Sequence, residues 1–448
     1  MNISIAGAGN ISRLLTEKLA KGNNNITIFE KRGDRITYAN EHLDAMIVDG
    51  DVLNMSLQRR AGSGNADIFI ALTQDDSVNI LACQIAKKLG AKKTIARVRD
   101  SQYIIKKKNI FTPFECSVDF FIHPEYETAG AISRLIHQTG TTDIIEIEEG
   151  KVQFLGLYID NNSQFLHIPF KDFNTTFGDL PMRIVAIKRR TFTLIPRGED
   201  VLIPGDQIFF VCDPKYKDKI LQIFGKKDVE IKNIMIIGGG LIGKFIAKNL
   251  EHSMNVKVVE NNPKKADALA QVLDKALVIQ GDGSDLDLLH SEGLTDMDEV
   301  ITVTGDDETN IITTTIARHL HVPRTITLIN KNEYLPLISA LNLEAVVSKH
   351  HLTVNAISNY IRRESIAQIS ELPGLDAAIV EFLVSKKSKI TGKMLKNIKF
   401  PNRTLIGAIL KGGETMIIPQ GDTVVEINDK VVVFCDPLSV ESITKLFK

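Results

Sequence analysis

The sequence predicts an α/β fold in which a doubly wound parallel-sheet domain, followed by a small α+β module, occurs twice. Three observations carry this expectation. Short β-branched runs alternate with helix-length amphipathic stretches, and glycine-rich turns stand where a strand gives way to a helix. The same marks then return after 230 or 231 residues. Strand–helix alternation implies parallel strands joined by right-handed crossovers, with helices on both faces of the sheet.

In chain order, strands are expected at 2–6, 25–30, 45–49, 67–72 and 93–98. Between them, 10–21 and 76–89 carry apolar residues at helical spacing, and a helix over about 124–138 is expected to close the unit. From 141 to 224 the texture becomes strand-rich. Pro204-Gly205-Asp206 lies between apolar runs and signals a hairpin, because Gly and Asp tolerate the dihedrals of a tight turn. The end of the chain repeats this with Ile418-Pro419-Gln420-Gly421, Asn428-Asp429 and the run Lys430–Cys435. The expected domains are 1–139 and 231–362, both doubly wound, with modules at 140–225 and 363–448. The polar stretch Gly225–Glu230 reads as the hinge between halves.

The repeat is exact enough to align by eye. Ile3-Ser4-Ile5-Ala6-Gly7-Ala8-Gly9 returns as Ile234-Met235-Ile236-Ile237-Gly238-Gly239-Gly240, and Gly50-Asp51 as Gly281-Asp282. Thr73-Gln74-Asp75-Asp76-Ser77-Val78-Asn79 returns as Thr304-Gly305-Asp306-Asp307-Glu308-Thr309-Asn310. So long a period means two copies of one domain.

Totals exclude several classes of function. Among 448 residues, 54 Lys and Arg balance 55 Asp and Glu, so no global charge attracts nucleic acid or an anionic membrane. The densest basic run, Lys106-Lys107-Lys108, reads as a solvated helix face. Four cysteines (Cys83, Cys116, Cys212, Cys435) lack metal or disulfide spacing. Cys212 and Cys435 occupy equivalent apolar strands, which favours a core role and modules that hold subunits together. No apolar run approaches the ~20 residues of a membrane-spanning helix, and the N-terminus lacks a signal-peptide pattern. These features point to a soluble protein of a reducing cytoplasm.

Two glycine loops carry the chemistry. Gly7-Ala8-Gly9-Asn10-Ile11-Ser12 and Gly238-Gly239-Gly240-Leu241-Ile242-Gly243 each follow a strand and open a helix, as in Rossmann-like nucleotide sites. The first glycine makes the turn, and the second lets the backbone approach a pyrophosphate that the helix N–H groups would hold. Ser12 departs from the pattern and should loosen helix–strand packing slightly. Glu30 lies 21 residues past Gly9 and Glu260 20 past Gly240, where an acid accepts both ribose hydroxyls and repels a 2′-phosphate. Asp51 and Asp282 read either as neighbours of the adenine edge or as helix N-caps. Thr73 and Thr304 end the fourth strand at the crevice. Asp75-Asp76 and Asp306-Asp307 read as helix caps and first-turn acids. Arg97 and Arg99 end the fifth strand and could reach a phosphate, whereas the second copy holds Leu328 and Asn330 there. The two sites should therefore differ. No His–Asp pairing or nucleophile elbow is evident, and adjacent His350-His351 lack further metal ligands.

These tandem glycine loops, acids, Thr-x-Asp-Asp-x-x-Asn stretches and appended modules resemble the TrkA family, cytoplasmic regulators of potassium uptake built from two regulator-of-K⁺-conductance (RCK, or KTN) domains. The resemblance covers essentially the whole chain. It implies a homo-oligomeric ring, a dimer or tetramer of tandem chains, beneath a TrkH-, TrkG- or KtrB-like membrane subunit. It also implies binding of NAD or NADH, or alternatively ATP or ADP, and no catalysis. On this resemblance Gly7, Ala8, Gly9, Asn10 and Ile11 hold phosphates, Glu30 the ribose, and Thr73, Gln74 and Arg97 the remainder. Gly238–Gly243 with Glu260 form the second site.

Two other readings compete. A bidomain NAD-dependent oxidoreductase would need a nicotinamide facing a titratable side chain, since fold alone never assigns function. A redox-sensing scaffold or transcriptional sensor would need a basic or helix-turn-helix element, which is missing.

Overall fold

A computed structural model describes residues 1–448 except 23, 104–111, 114, 138–139, 148–149, 162, 179–180, 190–191, 227–230, 335–340, 342, 344, 363–367, 372–374, 376, 437–438 and 448. The run Lys106–Lys108 and residues 227–230 of the expected hinge lie outside the described residues. The chain forms two compact units, Met1–Glu127 with Lys349–Ile361, and Thr128–Ser348 with Arg362–Lys448.

The first unit contains strands β1 (Asn2–Ala6), β2 (Asn25–Glu30), β3 (Met46–Asp49), β4 (Ile68–Ala71), β5 (Lys93–Arg97) and β6 (Phe120–Ile122). All pair in parallel, in the order β3-β2-β1-β4-β5-β6. Ile3, Ile5, Ile28, Ile70 and Ile95 are buried, the continuous apolar signature of strands covered on both faces. Helices α1 (Asn10–Ala20), α2 (Gly33–His42), α3 (Met55–Arg60) and α4 (Asp76–Leu89) supply the crossovers. Strand order reverses between β1 and β4, so the crevice opens at their carboxyl ends. β6 was not legible in the sequence, because a three-residue strand leaves no period to read.

Helix α5 (Pro124–His137) forms where expected but does not close this unit, since its residues from Thr128 onward belong to the second. The helix Lys349–Arg362 lies on the first sheet instead. Its Val354, Ile357 and Ile361 join the core of Ile5, Ile28, Ile95 and Ile122, and Tyr360 stacks on Phe120 at 4.5 Å. Burying each aliphatic side chain is worth about 1.5–3 kcal/mol. Periodicity reveals an apolar face but not the sheet that receives it.

The second unit contains the repeat, a six-stranded parallel sheet over Asn233–Ile237, Asn255–Glu260, Leu277–Gln280, Glu299–Thr302, Arg324–Leu328 and Ala345–Val347, in the same spatial order. Arg324 Nη2 donates to the Leu135 carbonyl at 3.1 Å, tying the end of α5 to this sheet. The two modules are five-stranded antiparallel sheets, built over Asp143–Cys212 and Gln368–Cys435. They share one core, in which Phe154 stacks on Phe434 at 6.1 Å. Gly407 permits the approach, because a Cβ there would stand 3.1 Å from Val211. Cys212 and Cys435 are fully buried, as their apolar strands suggested, and burial pushes both thiols up to about 12.

Candidate functional site

Each glycine loop leaves a strand, turns at a glycine with positive φ (+94° at Gly7, +110° at Gly238) and enters a helix. The turn is pinned by Gly7 N–H donating to Phe29 O and Gly238 N–H to Val259 O, both at 2.8 Å. Gly9 and Gly240 are the N-caps, and neither helix has a side-chain cap or an acid in its first turn. Other helices here do: Asn54 caps α3 and Asp75 caps α4, while Asn262, Asp285 and Asp306 cap the helices Pro263–Ala270, Leu286–Ser291 and Asp307–His319. The glycine-loop helices thus present free N–H groups and positive dipole ends, the requirement for a phosphate seat.

A cavity of about 230 Å³ lies against the first loop, lined by Gly7, Glu30, Asp51, Thr73 and Gln74 from the expected set, with Phe29, Lys31, Arg32 and Arg35. Ala8, Gly9, Asn10 and Ile11 form the loop and first helical turn. Ile11 and Ile242 are buried apolar side chains, so only their backbones are available to a ligand. Arg35 was missed in the sequence; it lies in α2, and its Nη1 stands 3.7 Å from Glu30 Oε2.

Glu30 is tied to the glycine loop itself. Its Oε2 accepts the Ala8 N–H at 2.8 Å, and Oε1 accepts those of Lys31 and Arg32 at 2.8 and 3.0 Å. Burial alone would raise its pKa. The Ala8, Arg32 and Lys31 hydrogen bonds and the Arg35 charge outweigh burial and hold the carboxyl below its ordinary range. Glu260 repeats the arrangement, accepting from Gly239 N–H at 2.8 Å and Asn262 N–H at 2.9 Å. In both copies the acid therefore braces the glycine loop.

Asp51 caps no helix. Its Oδ1 accepts from Leu53 N–H at 2.9 Å and its Oδ2 meets Lys31 Nζ at 3.1 Å, contacts that lower its pKa. Asp282 likewise accepts from Ser284 N–H and hydroxyl. Asp75 and Asp306 are caps as expected. Asp76 and Asp307 are first-turn acids as expected, and they also hold the next loop, through Arg99 and Asp100 N–H and through Asn330 and Lys331 N–H.

Thr73 and Thr304 each lie two residues past the end of their strand at the crevice, and an asparagine fixes each. Asn79 Oδ1 accepts from Thr73 N–H and hydroxyl at 2.8 and 2.7 Å, while its Nδ2 donates to the carbonyls of Thr73 and Arg97. Asn310 does the same for Thr304 and Leu328. The two crevices share this frame and differ in the side chain mounted on it. Leu328 is buried, whereas the Arg97 guanidinium stands 3.6 Å from Glu125. Glu125 also faces Lys349 at 3.5 Å and His123 at 3.8 Å. Burial would raise the Glu125 carboxyl, but Lys349 and Arg97 outweigh it and keep it low. Arg99 is exposed.

The third glycine position explains the loop asymmetry. A Cβ on Gly243 would lie 2.0 Å from the Gly238 carbonyl oxygen, so the second loop requires glycine. Ser12 is fully buried at the matching place. Among the described residues, one acidic-histidine grouping, Glu251, His252 and Asp274, has metal-like proximity. The Lys248 ammonium already bridges its two carboxylates at 2.9 and 2.7 Å. A larger cleft of about 800 Å³ lies between the two modules, with Lys171, Arg183 and Arg197 on its wall, far in sequence from either glycine loop. Among the described residues, no helix is long and apolar enough to cross a membrane.

Fold and loops together define a tandem nucleotide-fold protein with paired antiparallel modules. Family comparison agrees: the TrkA-N domain matches residues 3–113 and 234–349, and the TrkA-C domain residues 156–225 and 379–448. The chain belongs to the TrkA family. It is 31% identical over 462 residues to the Trk system potassium uptake protein TrkA of Halomonas elongata, covering 100% of this chain and 99% of that one. To the TrkA homolog of Archaeoglobus fulgidus it is 32% identical over 451 residues, the full length of both. Among solved structures, the GsuK channel bound to NAD superposes with a TM-score of 0.62 at 19% identity, over 100% of this chain and 78% of that one. The GsuK RCK domain gives the same score over 100% and 94%. These structural likenesses establish the RCK-type fold.

Proposed function

We propose that this chain is a nucleotide-binding regulatory subunit that gates a separate membrane potassium channel or transporter. The observation that carries the reading is the pair of uncapped glycine-loop helix starts, each braced by a buried glutamate and facing a crevice. That arrangement suits an adenosine-bearing anion such as NAD or NADH, with ATP or ADP as the alternative. The residues proposed to hold it are those of the two loops, Glu30, Asp51, Thr73, Gln74 and Arg97 in the first copy and Glu260, Asp282 and Thr304 in the second.

The relatives, named for Trk potassium uptake, support the transport context. A ring of tandem chains at the inner face of the plasma membrane, divided into domains 1–139, 140–225, 231–362 and 363–448, follows from the same reading. The nucleotide is bound and not consumed, and a ligand biases a gate only through its difference in affinity between the open and closed states. Reconstitution with the cognate pore, with potassium flux measured against NAD, NADH, ADP and ATP, tests the proposal. Flux should respond to at least one of them. Hydride transfer from bound NADH to a substrate would favour the oxidoreductase reading instead.

A further inference from the structure

The first crevice differs from the second by an arginine, and the difference extends further. Arg97 Nη2 and Lys349 Nζ both approach Glu125 Oε1, at 3.6 and 3.5 Å, with Glu125 95% and Arg97 87% buried. Lys349 opens the helix Lys349–Arg362, contributed to this unit by the second half of the chain. In the repeat, Leu328 takes the place of Arg97. Counting from the end of the preceding strand, His350 takes the place of Glu125 and Pro124 is the counterpart of Lys349. Cation and acid are thus present together in one copy and replaced together in the other.

The Arg97 guanidinium is not fully engaged where it stands. Its separation from Glu125 exceeds hydrogen-bond length, and its buried Nε has no acceptor among the described residues. A guanidinium with unused donors at the end of a crevice strand suits an anionic oxygen. Moving it onto such an oxygen would leave Glu125 a buried carboxylate, which is costly unless another cation remains. Lys349 is that cation.

Building on the nucleotide reading above, we propose that Lys349 and Glu125 are positioning residues of the first site: a bound phosphate takes Arg97, and Glu125 passes to Lys349. Arg97 contacts the ligand, while Glu125 and Lys349 act through it. The exchange tightens the helix Lys349–Arg362 on the first sheet when ligand binds, which links first-site occupancy to an element from the second half of the chain. By reciprocity, anything that displaces that helix weakens the nucleotide.

The test uses the full chain with ADP and NADH as probes, measured by calorimetry together with hydrogen exchange of residues 349–361. Lys349→Met should weaken first-site binding about tenfold, within the usual range of coupling between sites. Adding Glu125→Gln to Lys349→Met should restore affinity, because the stranded carboxylate is gone, and Lys349→Arg should preserve it. Glu125→Gln alone should abolish ligand-induced protection of the helix, because the acid that passes to Lys349 is gone. Should Lys349→Met misfold, the last two variants decide. Unchanged binding in Lys349→Met, no recovery in the double variant, or helix protection surviving Glu125→Gln would overturn the proposal. A wild-type chain that binds neither probe would overturn the nucleotide reading itself.

Discussion

Glu30 Oε2 accepts the backbone N–H of Ala8 at 2.8 Å, so the acid at the end of β2 is joined to the glycine turn that ends β1. Glu260 and Gly239 form the same bond, also at 2.8 Å. Removing the carboxylate strips the loop of a charge-assisted hydrogen bond worth about 1.5–3 kcal/mol. Glu30→Ala should therefore weaken nucleotide binding at the first site by about tenfold or more and leave the second site unaffected. Calorimetric titration of the two alanine variants, Glu30→Ala and Glu260→Ala, checks the assignment site by site.

The same bonds give a pH signature. The folded Glu30 carboxyl lies below its ordinary 4.5. A depressed acid stabilises the fold above its unfolded pKa, and that contribution is lost as pH falls through the folded value. The thermal midpoint of wild type should exceed that of Glu30→Gln at pH 6, and the gap should narrow as pH falls below 4.5. A gap that widened on acidification would contradict the assignment.

Asn79 and Asn310 each make four hydrogen bonds that clamp adjacent strand ends at the crevice floor. Replacing either with alanine leaves buried backbone groups unpaired and should cost about 2–4 kcal/mol. Urea denaturation measures the loss, and the larger affinity drop should fall in the half that was mutated.

The two loops should respond unequally to a change at their third position. Gly243→Ala places a methyl 2.0 Å from the Gly238 carbonyl, which forces the second loop to move and should destabilise it by about 2 kcal/mol or more. Ser12→Gly should change stability by only about 1 kcal/mol, the helix-propensity cost of glycine. Paired melting curves of these two variants decide the point.

Ile357 is fully buried in the core of the first sheet. Ile357→Ala should cost about 2–5 kcal/mol, and the damage should appear in the first unit although the residue lies in the second half of the sequence. Hydrogen exchange of β1, β2 and β4 provides the readout.

Much of this architecture was readable because its signals are local. Strand–helix alternation placed five strands of the first sheet within a residue or so, and the glycine loop, Glu30 and Thr73 announced the crevice by spacing alone. What stayed hidden depends on the partner and not on the pattern. The apolar face of Lys349–Arg362 is visible in sequence, yet its place on the first sheet is decided by tertiary packing. Asn79 closes a repeated stretch, yet its role stayed hidden, because its four hydrogen bonds go to residues 6 and 18 positions away. Glu125 sits in the first turn of α5 as any helix-start acid does, and only folding brings Arg97 and Lys349 to it.

An adenine nucleotide is expected on the uncapped helix starts behind Gly9 and Gly240, bound there without being consumed. Titration of the full chain with NADH, NAD, ADP and ATP, followed by recovery of the ligand, tests this most directly. Saturable binding of at least one of them is predicted, weakened at the first site by Glu30→Ala and with the ligand recovered intact. Absence of binding by all four, or recovery of a chemically altered nucleotide, would contradict the account.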